Sequence, residues 1–195
     1  NYSAHLKEDQ QQINRVVIAE IMGVPIDSKT VTEKIDNFFD SGISAYPNVY
    51  PNLFVGKNGF NTSKGRILPL GGISNRTAHF LPHLEQVQVD NKSGFYPVIE
   101  GDEHGFNNPK GLYQKTKVDI VLTGDSFTEG YSVHSDETIS AVLRELGFNT
   151  ISVGKGGNGP LLELASLKEY AEPLKPKIIL WLYCVNDIQD LMEGS

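Results

Sequence analysis

The sequence has one cysteine, Cys184, among 195 residues. A lone cysteine rules out an internal disulfide and any multi-cysteine metal site, and neither a metal nor an organic cofactor is expected. It stands in IILWLYCVND, where the expected state is a small buried hydrophobe. Basic residues are sparse as well: 17 Lys and Arg against 24 Asp and Glu leave a net charge of −7. Binding to a phosphate backbone needs concentrated Lys and Arg, so the balance argues against nucleic acid as a main partner. Apolar runs reach only strand length, and none would span a bilayer. No signal peptide is visible, yet the first residue is Asn1 rather than Met. A processed, trimmed or partial chain is therefore expected, with a leader or anchor left open.

Of the residues present, 39% are hydrophobic and 21% charged, which suits a globular domain. Residues 4–22 read as an amphipathic helix ended by Gly23 and Pro25. A second helix should start near Thr30, where Thr30 and Glu33 form a capping box, and run to Asp40 with Gly42 beyond its end. Residues 43–83 are rich in Gly, Pro and Asn and are expected to be mostly loop. QVQVDNKSGFYPVI reads as a hairpin turning at Asn91 to Gly94, followed by a polar loop, GDEHGFNNP. In that loop Asp102 and Glu103 are expected to be solvated.

From residue 117 the pattern becomes a regular alternation. Strands are expected at 118–123, 149–153 and 178–184, with helices near 136–146 and 161–171. Ser135 or Asp136 should cap the first helix, Gly147 should stop it, and Pro160 should open the second. Strands separated by helices at this period form a parallel sheet with helices on its faces. An N-terminal helical, loop and hairpin segment (1–114) and an α/β domain (115–195) are the expected units.

Each expected strand ends in an unusual loop: GDSFTEG, GKGGNGP and CVNDIQD. Ser126 and Gly157 are 31 residues apart and Gly157 and Asn186 are 29 apart, one strand–helix unit per step. Parallel strands point the same way, so all three loops emerge at one edge, where open α/β sheets bind ligands. A hydroxyl, a glycine-rich backbone and a carboxamide are thereby gathered.

At these residues the sequence resembles the SGNH (GDSL-type) hydrolase family. Gly124-Asp125-Ser126 looks like its first block, Gly157 like its second and Asn186-Asp187 like its third. RILPLGGISN, DEHGFNNP and the run from Gly156 to Tyr183 look like bacterial members carrying an extra segment before the first block. The resemblance implies a three-layer α/β/α fold with a parallel, flavodoxin-like sheet. It implies Ser126 as nucleophile, with an oxyanion hole made by the Ser126 and Gly157 backbone N–H groups and the Asn186 side chain. Fixed donors aimed at a developing oxyanion supply a large part of such catalysis, glycine lets the backbone approach, and an amide donates without titrating. Asp125 and Asp187 are expected to fix their loops by hydrogen bonds. The resemblance further implies acyl or acetyl esters of carbohydrates or lipids as substrates, hydrolysis or acyl transfer as the reaction, and an extracytoplasmic location.

A serine at its ordinary pKa needs a base held by a third group. The family supplies these from a D-x-x-H block well after its third block, but here no such block follows Asn186 before Ser195. The expectation is that the base lies in a part of the protein beyond Ser195, and that this chain alone is almost inert. Of the five histidines, His104 sits in a polar loop that could overhang the site. His134 is expected at the surface, and His5, His79 and His83 have no partner pattern. In the third block Cys184 and Val185 stand where family members have glycine, and a β-branched Val restricts the backbone there.

Two other readings remain. GKGGNG, residues 154–159, also fits G-x-G-x-x-G between strand and helix, the fingerprint of dinucleotide binding. Its usual acid about twenty residues on is missing, since position 179 is Ile. A non-catalytic glycan-binding or scaffold protein could share the fold, because fold alone does not fix function.

Overall fold

The computed structural model describes residues 17, 20–21, 31–48, 50, 59–80, 98–115, 117–131 and 133–193. Most of the expected first helix, the Thr30 cap and the Asn91–Gly94 turn lie outside these residues. The protein is mixed α/β, built around a three-stranded parallel sheet.

That sheet consists of β6 (Ile120–Gly124), β7 (Thr150–Ser152) and β8 (Ile178–Leu182) in the order β7-β6-β8, all parallel. The central strand is buried along its whole length. This accounts for its unbroken apolar run, since a parallel strand covered on both faces has no polar side. Phe106, Leu112, Val118, Val121, Ile151 and Leu167 form the main core beneath it.

The helices of this unit follow from local chemistry. The one-turn helix α2 (Ser126–Glu129) springs directly from the end of β6. The next helix, α3 (Ile139–Glu145), begins later than the sequence suggested, capped by Thr138, whose hydroxyl accepts from Ala141 N at 3.1 Å. Neither expected cap is used; the Ser135 hydroxyl is instead 3.2 Å from Val98 O and from Asn107 Oδ1. Pro160 opens α4 (Pro160–Ser166) as expected. That helix then widens into a π-turn over Leu167–Ala171 and tightens into a 3₁₀ turn over Glu172–Leu174. After β8 comes α5 (Val185–Glu193).

Ahead of this unit, α1 (Val31–Asp40) ends as expected, with Gly42 beyond it at φ 76°. The stretch expected to be mostly loop contains short strands: β1 (Ala45–Asn48), β2 (Phe60–Thr62), β3 (Gly65–Ile67) and β4 (Thr77–Phe80). β2 and β3 form a small exposed hairpin. β1 lies parallel to β4, and β4 pairs antiparallel with β5 (Val98–Glu100). Elements of three or four residues leave no periodicity to read, and β1, β4 and β5 take partners distant in sequence.

The loop GDEHGFNNP overturns the expectation of a solvated turn. Asp102 is fully buried. One of its carboxylate oxygens accepts from His104 N and Phe106 N, and the other from Asn108 Nδ2. Burial still pushes its pKa above the ordinary carboxylate value, and these donors offset only part of that rise. Glu103 accepts from Gly111 N at 3.1 Å. The knot delivers Phe106 to the core and Asn108 to the outer edge of β7. There the Asn108 amide accepts from Ser152 N at 2.9 Å and donates to Ser152 O at 2.8 Å, occupying both groups as a neighbouring strand would. Arg144 covers the next outward carbonyl, Thr150 O, at 3.2 Å. Residues before position 115 thus take part in the packing of the parallel sheet.

The other edge differs. Ile178, Ile179, Leu180 and Trp181 of β8 are each between 38% and 51% exposed. Among the described residues no helix is long and apolar enough to cross a membrane.

Asn108→Ala would leave the buried Ser152 N–H and C=O without partners and strip Asp102 of a donor. We expect a loss of about 2–4 kcal/mol, since each orphaned buried group costs about 1–3 kcal/mol. Chemical denaturation of the variant against the parent checks this.

Candidate functional site

The site begins at Gly124, where φ is 152° and a Cβ would lie 2.1 Å from Thr128 Oγ1 and 2.7 Å from Leu182 O. No other residue lets the chain turn so tightly between the end of β8 and α2. Asp125 then caps the short helix, its Oδ1 accepting from Phe127 N at 3.1 Å. Ser126 follows as the first helical residue, half-buried at the C-terminal end of β6. Among the described residues no side chain hydrogen-bonds its Oγ.

After β7 the chain enters the glycine loop. Lys155 N donates to Gly124 O at 3.2 Å, tying this loop to the end of β6. Gly154 packs on Thr128, and a Cβ there would lie 2.4 Å from Thr128 Cβ. Gly157 has φ 80° and is covered by Tyr50, whose ring carbon Cγ would lie 2.7 Å from an added Cβ. Asn158 anchors the far side of the loop, its Nδ2 donating to Leu70 O at 2.9 Å.

After β8, Cys184, Asn186 and Asp187 complete the cluster. Asn186 Nδ2 donates to Asp125 Oδ2 at 3.3 Å and Cys184 Sγ to Asp125 Oδ1 at 3.4 Å. Asp187 is fully buried and its Oδ2 accepts from Cys184 N. Both aspartates therefore hold loop backbone, as expected. Val185, where the family pattern has glycine, opens α5 and is 93% exposed. Placed in a helix and pointing outward, the β-branched residue does not keep the Asn186 amide from Asp125.

Ser126, the glycine loop and Asn186 thus stand at one edge of the sheet, linked through Asp125 and Gly124. Cys184 departs from its expected core position: it is half-buried with its thiol against the Asp125 carboxylate. Burial and that neighbouring charge push the thiol up to about 11. His104 does not serve the site. Its ring is wedged against Tyr113 and Tyr170, with centroids 4.5 and 4.9 Å away, a structural role in the buried knot. His134 is half-buried in the loop ahead of α3.

Sequence reasoning passed over a group at the heart of this edge. Glu129 and Lys155 form an ion pair, each about 2% exposed, with Asn48 bonded to both. Glu129 Oε2 also accepts from Gly156 N at 2.9 Å. The available signal was that each motif carries a charged residue near one end amid small and apolar ones, Glu129 in GDSFTEG and Lys155 in GKGGNGP, and charges are almost never buried unless paired. Nothing in the sequence linked Asn48 or Tyr50 to them. Tyr50 lies close enough to Glu129 and Asp125 for their charges, after burial itself, to raise its pKa, so its hydroxyl stays protonated.

Chemically, the edge offers a hydroxyl, a carboxamide and constrained backbone amides. Among the described residues no group of three or more His, Cys, Asp or Glu could hold a metal ion. Compared with models of protein families, with curated proteins and with solved structures, the chain matches none.

Two outcomes are expected. Lys155→Met leaves a buried carboxylate without its cation and should cost about 3–5 kcal/mol in denaturant unfolding. The second concerns alkaline pH. The Cys184 pKa is higher in the folded chain than in the unfolded one, so its contribution to stability is complete below the ordinary thiol range. It is lost as pH rises toward about 11. Melting temperature followed upward from pH 8 should therefore fall more steeply for the parent than for Cys184→Ala, and alkylation of the thiol should still be accelerating at pH 10.

Proposed function

We propose that the protein is a serine esterase or acyl hydrolase of the SGNH type, acting on an acyl or acetyl ester through a Ser126 acyl-enzyme. The observation that carries this reading is the Asn186–Asp125 hydrogen bond at 3.3 Å. It sets the carboxamide of the third block beside the Ser126 turn of the first, with the glycine loop of the second tied to the same strand end. The strand order β7-β6-β8, with the first strand central, supports the finer assignment of a flavodoxin-like three-layer sheet. In that order the loops of interest flank the topological switch point where such sheets take ligands.

In the proposed reaction Ser126 Oγ attacks the ester carbonyl carbon and loses its proton to a base. The Ser126 and Gly157 amides and the Asn186 carboxamide receive the oxyanion. Collapse expels the alcohol, protonated by the same base, and leaves the acyl group on Ser126. Water then releases the acid, or an acceptor alcohol takes the acyl group in transfer. Among the described residues nothing is hydrogen-bonded to Oγ as a base would be; by the resemblance that role would fall to the His of a D-x-x-H block. Carbohydrate or lipid esters and an extracytoplasmic location remain part of the proposal on resemblance alone.

With no side chain among the described residues bonded to Ser126 Oγ, one other reading stands beside it, a non-catalytic glycan-binding or scaffold protein on the same fold. Dinucleotide binding has less support, since Gly156 N already donates to Glu129 and Tyr50 covers Gly157.

A fluorophosphonate probe separates these readings. Protein expressed from its complete gene should label covalently at Ser126, and Ser126→Ala should not label. Absence of labelling in the parent, or equal labelling of the alanine variant, would falsify the serine-hydrolase reading.

A further inference from the structure

We infer that Glu129 is a positioning residue, which with Lys155 and Asn48 sets the glycine loop in register with Ser126. The inference rests on the serine-hydrolase reading and extends it to residues outside the three family blocks.

Glu129 lies one helical turn after Ser126 in α2, and its backbone is fixed at both ends. Its N–H donates to Asp125 O at 3.0 Å and its carbonyl accepts from Asn107 Nδ2 at 2.9 Å. The backbone that carries the side chain is therefore tied to the Ser126 turn. Its two oxygens divide their work. Oε2 takes Gly156 N–H at 2.9 Å, while Oε1 takes Lys155 Nζ and, at 3.0 Å, Asn48 Nδ2. Lys155 Nζ also donates to Asn48 Oδ1 at 2.6 Å, so the three side chains close a ring. One carboxylate thus fastens the β7 loop to the β6 turn, at the residue immediately before the proposed oxyanion donor Gly157.

The loop has little slack. A Cβ at Gly156 would lie 2.7 Å from Tyr50 Cε1 and 2.9 Å from Glu129 Oε2. Packing from the N-terminal segment and the carboxylate thus hold the same peptide from two sides. A buried ion pair is a poor stabiliser compared with apolar side chains of equal volume, so stability alone is a weak reason to find one here. Fixing the position of a catalytic amide is a stronger one, because a displacement of about 1 Å costs about a hundredfold in rate.

Two double variants, made in protein from the complete gene, test this. Glu129→Gln/Lys155→Met removes both charges but keeps an oxygen for Gly156 N–H; Glu129→Leu/Lys155→Met removes the acceptor as well. Both avoid an unpaired buried charge. We expect the Gly156 amide to exchange with solvent about tenfold faster in the leucine variant than in the glutamine variant. Ser126 should also label with fluorophosphonate up to about a hundredfold more slowly, and on an aryl ester kcat should fall while KM holds. Glu129→Asp, which keeps the charge and shortens the reach, should slow labelling in the same way and serves if the leucine variant does not fold. Equal exchange and equal labelling in the two double variants, with the parent labelling normally, would overturn the inference and leave the esterase reading intact. A parent that does not label at Ser126 would overturn the reading and the positioning role together, even if Gly156 exchange responds.

Discussion

The Asp125 carboxylate is the constraint on which the rest of this edge depends. It is 5% exposed and takes hydrogen bonds from Phe127 N, Cys184 Sγ and Asn186 Nδ2. Two of these donors follow β8, Cys184 in the connecting loop and Asn186 in the first turn of α5, and one lies in α2 after β6. A buried carboxylate needs several donors to stay stable, so the two strand ends can meet in few ways other than this one. Gly124 makes the meeting possible by giving up its side chain where Leu182 O and Thr128 approach. The hydroxyl of Ser126 is placed as a result, without a bond of its own among the described residues.

The segment before residue 115 belongs to the same construction. Asn48 enters the Glu129–Lys155 pair, Tyr50 covers Gly157, Leu70 O holds Asn158 and Asn108 holds β7. A strand–helix alternation alone would leave these loops to solvent. Here the loops after β6 and β7 bond to residues of the N-terminal part or lie beneath its Tyr50 ring.

The parallel sheet was legible because its signal is local: apolar runs, Pro160 before a helix, glycines after strands. The three loops were legible because spacing by strand–helix units puts them at one edge whatever the details. The knot around Asp102 was not, since a run of Asp, Glu, His and Asn looks the same whether its donors are water or its own backbone. Cys184 was read as core because strands with apolar neighbours usually bury it, but β8 ends at Leu182 and the thiol falls in the loop beyond. The Glu129–Lys155–Asn48 ring joins residues 81 and 107 positions apart, and a single sequence carries no trace of such pairings.

The two borders of the parallel sheet are not equivalent. On β7 the outward N–H and C=O of Ser152 are already taken by Asn108 and the C=O of Thr150 by Arg144. On β8 the side chains are apolar and open. Among the described residues, growth of this sheet is therefore directional: a strand arriving from elsewhere, whether in the same polypeptide or another copy, finds its template at β8 rather than at β7. Because the chain leaves β8 directly into α5, such a strand would settle beside Asn186, so completing the sheet and finishing the wall of the site would be a single event.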